Sequence, residues 1–236
     1  MKNLSITLSV TLLLTGPLTA NASLIGPTSY LSSSDSPFTG TFFNYFHLEN
    51  FEDGLLNTPG VSASSGMVLS AAGLTDSVDG DDGAIDGYGT AGHSWYSTTS
   101  SMTFTFSASE LGVLPTHAGL VWTDVGFASQ QNGFDSIIFE AFDGANNSLG
   151  IIGPSAVGDG VFGGQTAEDR FFGVTSIGGI GSIRITSSYS TDWEMDHLQY
   201  GFAPLTQTGA VPEPATLALL AVGIASIGFA RRRGRR

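Results

Sequence analysis

Through the middle of the chain, apolar residues recur at every second position, and this period constrains the fold more than any other feature. Met102, Phe104 and Phe106 alternate with Thr103, Thr105 and Ser107, and Ile183 and Ile185 alternate with Arg184 and Thr186. In extended chain, successive side chains point to opposite faces, so each run has one face to bury and one for water. No stretch before residue 215 sustains a 3.6-residue period, which excludes a helical bundle and a doubly wound α/β fold. The runs are short, rich in Phe, Ile, Val and Thr, and divided by Gly, Asp and Ser, the spacing of antiparallel strands in a sandwich or barrel. Expected strands are 41–48, 66–70, 102–107, 119–124, 136–142, 149–152, 171–175, 180–187 and 197–202. Together they fit an all-β fold, a single jelly-roll-like β-sandwich whose core takes the 16 Phe and needs no disulfide.

Charge narrows the partners. Between Ser23 and Val211 there are twenty acidic residues and two basic ones, Arg170 and Arg184, a net charge of −18. Nucleic-acid binding depends on Lys and Arg displacing counterions from phosphates, so nucleic acid is excluded as a partner. Calcium and neutral glycans remain. The chain has no Cys, which removes disulfide frameworks, thiolate metal sites and cysteine nucleophiles.

Both ends read as addresses. Lys2 precedes an uncharged run, Leu4 to Leu14, then Gly16-Pro17 and the small-residue pattern Ala20-Asn21-Ala22. Residues 1–22 are expected to be a signal peptide, removed by signal peptidase to leave Ser23 as the first residue. At the other end, Ala215 to Ala230 holds sixteen residues without charge, followed by five arginines in Arg231 to Arg236. As a helix it spans about 24 Å against a hydrocarbon core of roughly 30 Å, so 215–230 is expected to be a short transmembrane helix with its arginines in the cytoplasm. Before it, Val211-Pro212-Glu213-Pro214 stays extended, because proline removes backbone donors and disfavours helix in the residue ahead of it.

These three parts in this order resemble the PEP-CTERM sorting signal of exported bacterial proteins, over residues 211–236. The resemblance implies a transient inner-membrane anchor, recognition by a membrane-embedded exosortase, cleavage near Pro212, Glu213 and Pro214, and delivery to the cell surface or extracellular polysaccharide. The expected layout is a signal peptide (1–22), a Ser- and Pro-rich leader (23–40) with a short strand near Tyr30 as the alternative, the sandwich (41–203), a spacer (204–210) and the sorting signal (211–236).

Two further segments, Asn50-Phe51-Glu52-Asp53-Gly54 and Glu194-Met195-Asp196-His197-Leu198, resemble the first and last strands of galactose-binding-like jelly rolls. That resemblance implies that Glu52, Asp53 and Asp196 help to hold a structural calcium. The densest acidic stretch lies elsewhere: Asp76, Asp79, Asp81, Asp82 and Asp86 are five carboxylates in eleven residues, interleaved with Gly80 and Gly83. Calcium takes six to eight oxygens, and glycine turns expose backbone carbonyls that complete such a shell, so Asp79, Asp81, Asp82 and Asp86 are expected metal ligands; the spacing is not that of an EF-hand. A solvated acidic loop without an ion is the alternative.

Motifs that would signal catalysis lack their context. Gly87 to Gly92 spells GxGxxG, but an acidic loop precedes it and a β pattern follows, where a dinucleotide site needs a strand and then a helix. Gly92-His93-Ser94-Trp95-Tyr96 begins like a nucleophile elbow but lacks its second glycine. Glu140 and Glu194 are candidate glycosidase carboxylates, though strand alternation cannot say whether they converge. Trp95 and Trp193 stand in polar surroundings and are candidate glycan-stacking residues, while Trp122 reads as core. The expectation is a non-enzymatic, calcium-stabilised surface or matrix protein associated with exopolysaccharide; the alternatives are a secreted carbohydrate-active hydrolase and a purely structural matrix protein.

Overall fold

The computed structural model describes residues 22–70, 75–80, 92–125, 129–161 and 168–204. The stretch up to residue 21, read as a signal peptide, most of the acidic loop and the sorting tail lie outside these residues, as does the expected span 215–230. No helix among the described residues is long and apolar enough to cross a membrane. Contacts divide the chain into two units, one ending at Ala203 and the other Pro204–Arg236.

The first unit is all-β. Its strands are β1 (Ala22–Ser29), β2 (Tyr45–Glu49), β3 (Val61–Ala63), β4 (Met67–Leu69), β5 (Ser94–Ser97), β6 (Ser101–Phe106), β7 (His117–Val125), β8 (Asp135–Phe142), β9 (Ser148–Val157), β10 (Arg170–Ser176), β11 (Ser182–Ser187) and β12 (Trp193–Phe202), with a 3-10 turn at Ser33–Asp35 and a short α-helical turn, α1 (Ala108–Leu111). A seven-stranded sheet runs β1-β10-β7-β12-β5-β4, with β2 also paired to β12; a five-stranded sheet runs β3-β6-β11-β8-β9. Every pairing is antiparallel.

The alternation read in the sequence builds the core. Met102, Phe104 and Phe106 of β6, Ile183 and Ile185 of β11, and Ile137 and Phe139 of β8 pack in one cluster with Leu120, Trp122, Phe172, Val174, Met195 and Leu198 of the larger sheet. Phe104 has no exposed area, and Phe104→Ala would cost about 3–5 kcal/mol through lost burial and the cavity left behind. A smaller cluster of Tyr30, Phe38, Val78, Val121 and Phe171 gathers apolar side chains that this core leaves out.

The stretch read as a leader is therefore part of the fold. Leu24 and Ile25 pair with Val174 and Gly173 of β10, and Tyr30 and Phe38 are buried. Pro27 is tolerated because β1 is an edge strand and its register shifts between Ile25 and Thr28, so the missing N–H costs no ladder bond. Gly26, at φ +105°, lies against the Phe171 carbonyl, where a β-carbon would collide with backbone. The strands β3 and β5 were not anticipated; they span three and four residues in Ser-rich stretches.

Candidate functional site

The site grows from a change of partner along β12. On one edge, Trp193 to Met195 pair with β5 and Leu198 to Phe202 pair with β2. Asp196 and His197 fall between the two; the register against β7 shifts there, and His197 adopts φ 44°. The shift leaves their side chains to bond outside the ladder.

Asp196 is fully buried. Its Oδ2 accepts from Ser77 Oγ and Val78 N, both at 3.0 Å, and Oδ1 accepts from His197 N at 2.6 Å. Burial pushes its pKa up to about 7, against the pull of the neighbouring His197. Glu194, two residues earlier, accepts from Asp76 N at 2.8 Å and Ser94 Oγ at 2.6 Å, and burial lifts it to about 7. These two carboxylates fasten residues 76–78 to β12.

A hydrogen-bonded chain crosses the same place. Ser36 Oγ donates to Gln199 Oε1 at 2.5 Å, Gln199 Nε2 donates to the Tyr30 hydroxyl at 2.9 Å, and that hydroxyl stands 3.0 Å from His197 Nδ1. With Nδ1 accepting from Tyr30, the neutral ring carries its proton on Nε2, which faces Asp79 Oδ2 at 3.3 Å. The separation is that of an ion pair. Burial opposes the imidazolium, but Asp79 and the charge of Asp196 outweigh it and raise the His197 pKa. Asp79 is lowered, first by its interaction with His197, and also accepts from Asn50 Nδ2 at 2.6 Å.

Of the expected calcium ligands, Asp79 and Asp196 come together with His197, each offering one atom within 4.8 Å of the others. Asp81, Asp82 and Asp86 lie outside the described residues. Glu52 and Asp53 do not join that group: Glu52 accepts from His93 N at 2.6 Å, and Asp53 accepts from Leu55 N at 3.0 Å and Asn57 Nδ2 at 2.6 Å. The carboxylate of this region turned inward is Glu49, which accepts from Phe51 N at 2.9 Å and from Thr58 Oγ1.

The tryptophans need a correction. Trp193 is 0% exposed, its Nε1 donating to Thr99 O at 2.7 Å, so it offers no face to a sugar. Its polar neighbours Glu194 and Asp196 are themselves buried, which a sequence cannot reveal. Trp95 is 7% exposed, packs on Phe51 and lines a cleft of about 410 Å³ with Leu55, Leu56, Ser65, Met67 and Val68. A second cleft of about 340 Å³ lies among Ser36, Phe38, Phe43, Phe46, Leu48 and Gln199.

The candidate hydrolytic pair is divided between the sheets, with Glu140 on β8 and Glu194 on β12. Glu140 is ion-paired with Arg184, whose guanidinium lies 4.8 Å from the Phe142 ring centroid. Ser94 is a buried donor to Glu194. Of the GxGxxG stretch only Gly92 is described, packed so closely on Ser77 and the Gly80 backbone that a side chain there would collide.

A second buried group was not anticipated. Asp76, Asp124 and Glu168 each place one carboxylate oxygen within 4.8 Å of the other two. Burial, Glu168 and Glu194 push Asp124 up to about 9, and burial and Asp159 push Glu168 up to about 8. The signal in the sequence was Asp124 itself, a charge near the end of the strand His117–Val125, whose residues are otherwise apolar at both parities from Ala118 to Trp122.

Against this geometry stand the comparisons with known proteins. Residues 210–236 match the PEP-CTERM protein-sorting motif, the mark of an exported protein sorted by an exosortase. No curated protein matches the chain. Among solved structures, the CBM22-2 xylan-binding domain of Xyn10C from Paenibacillus barcinonensis is similar over 66% of this chain and 98% of its own, with 9% identity and a TM-score of 0.32.

Proposed function

We propose that this is a non-catalytic protein of the cell surface or extracellular matrix, freed of its signal peptide by signal peptidase, passed through a transient membrane anchor to an exosortase, and associated with exopolysaccharide. The observation that carries the reading is the sorting motif at residues 210–236. The sandwich is read as a jelly roll, in line with the pairing of β2, an early strand, with β12, the last. Calcium belongs to this reading as the counter-ion of the loop bearing Asp79, Asp81, Asp82 and Asp86, since a net charge of −18 destabilises a compact chain by self-repulsion.

The glycan contact is assigned to the cleft floored by Trp95. Leu55 and Met67 on its rim are each 57% exposed, an apolar surface suited to the apolar face of a pyranose. The separation of Glu140 and Glu194 on different sheets supports a binding role over hydrolysis. The test is co-sedimentation of the native protein with its extracellular polymer, for wild type and Leu55→Asp/Met67→Glu. Loss of sedimentation in the variant at an unchanged melting temperature supports the cleft. Equal sedimentation removes the cleft from the account, and release of reducing sugars by wild type would make the protein a hydrolase.

A further inference from the structure

Asp76, Asp124 and Glu168 take no part in the function proposed above, yet the fold brings them together from distant parts of the chain. Asp76 comes from the turn fastened to β12, Asp124 from the penultimate position of β7, and Glu168 from the segment entering β10. Oxygens sharing one calcium at about 2.4 Å can stand no more than roughly 4.8 Å apart. The three carboxylate oxygens meet that limit.

A cluster of carboxylates can exist without an ion, but Glu168 adds a separate fact. The residue is 3% exposed; its side chain hydrogen-bonds with Asp159, but its Oε2 has no hydrogen-bond partner among the described residues. A buried carboxylate oxygen without a donor is one that a bound cation would satisfy. Near Glu168 the favourable charge is that of Arg170, whose Nη1 donates to the Asp169 carbonyl. Arg184 is engaged with Glu140 on the other sheet. Asp159 and Glu194 add negative charge. The contrast with the Asp79–Asp196 pair is direct, because there His197 supplies an N–H and a positive charge from within the fold.

We propose that Asp76, Asp124 and Glu168 hold a buried divalent cation, which ties the turn before residue 80, the end of β7 and the entry to β10 into one unit. The donors are all hard oxygens with no imidazole or thiolate among them, which selects calcium over zinc. Magnesium fits less well, because it demands near-ideal octahedral geometry and keeps several waters, for which a buried three-carboxylate pocket leaves little room. This ion is distinct from any held by Asp81, Asp82 and Asp86.

The experiment uses the full chain purified in detergent, stripped with chelator and titrated with calcium, with melting temperature and bound metal as readouts. Wild type should bind calcium and melt several degrees higher with millimolar calcium than with chelator. Glu168→Gln and Asp124→Asn, which keep shape but cannot ionise, should each weaken calcium affinity at least tenfold while melting in chelator no lower than wild type, because burial already disfavours the charged form at both positions. Asp81→Asn/Asp82→Asn should keep the wild-type response at the buried site. A wild-type chain unmoved by calcium overturns the proposal without any variant. A response retained by Glu168→Gln and lost in Asp81→Asn/Asp82→Asn also overturns it, and leaves calcium in the loop as read above.

Discussion

His197 Nε2 faces Asp79 Oδ2 at 3.3 Å, joining β12, the last strand of the chain's sandwich, to the start of the acidic loop. The pair predicts a particular pH window. His197 is raised above its ordinary value, so its contribution is fully present below about pH 6.5 and is lost as pH rises through the folded pKa. Asp79 is lowered, so its contribution is present above about pH 3.9 and is lost as pH falls through the folded pKa. The difference in melting temperature between wild type and Asp79→Asn should therefore be largest between about pH 4.5 and 6.5 and shrink toward pH 8.5. A difference that grows with pH would show that the pair does not form.

Glu194 satisfies two buried donors, Asp76 N and Ser94 Oγ. Glu194→Ala strands both, at about 2–5 kcal/mol, and should lower the melting temperature by roughly 4–15 °C. Glu194→Gln keeps an oxygen in place and removes a charge that burial disfavours, so it should cost less than half as much. Thermal melts of the two variants in one buffer check this; equal losses would count against the hydrogen bonds as the cause.

Export and strand β1 are linked. Cleavage after Ala22 would leave Leu24 and Ile25 in place against β10 and remove only the first pairing, Ala22 with Ser176. N-terminal sequencing of the exported protein should begin at Ser23. Gly26→Ala places a side chain at φ +105° against the Phe171 carbonyl and should cost about 2 kcal/mol or more, measured as a fall in melting temperature.

The sorting motif makes its own prediction. Pro212→Ala/Glu213→Ala should hold the protein in the membrane fraction, whereas wild type is released or moved outward. Mass analysis of the two fractions reads this from the C-terminus. If both chains keep Arg236, the segment is a plain anchor.

The nine expected strands all form: β6 and β11 write one buried face into every second residue, while β7 and β12, buried on both faces, were legible as apolar runs between turn residues. Strand β1 was legible only as a short strand near Tyr30, because Pro27 and its serines break the pattern, and β3 and β5 lie in Ser-rich stretches with too few apolar residues to mark a strand. For the site, alternation gives the face a residue takes but not which chain segments meet. Asp79 and Asp196 stood out by local density and by position in the last strand, whereas their partner His197 depends on a backbone turn that no pattern announces. Asp124 and Glu168, 44 positions apart in the sequence, converge only through the β7–β10 pairing. Trp193 shows the reverse error, a polar neighbourhood in sequence that is buried in the fold.

Strand β12 ends at Phe202, next in the chain to the segment that leads to the sorting tail. It is bonded along one edge to β7 and along the other to β5 and β2. A pull transmitted along the chain from the tail, during membrane tethering or in a flowing matrix, would enter the sandwich at an interior strand. A strand bonded on both edges can leave the sheet only by breaking two ladders, where an edge strand such as β1 is held by one. The order of strands thus places the chain's exit toward the sorting motif on a strand held from both sides.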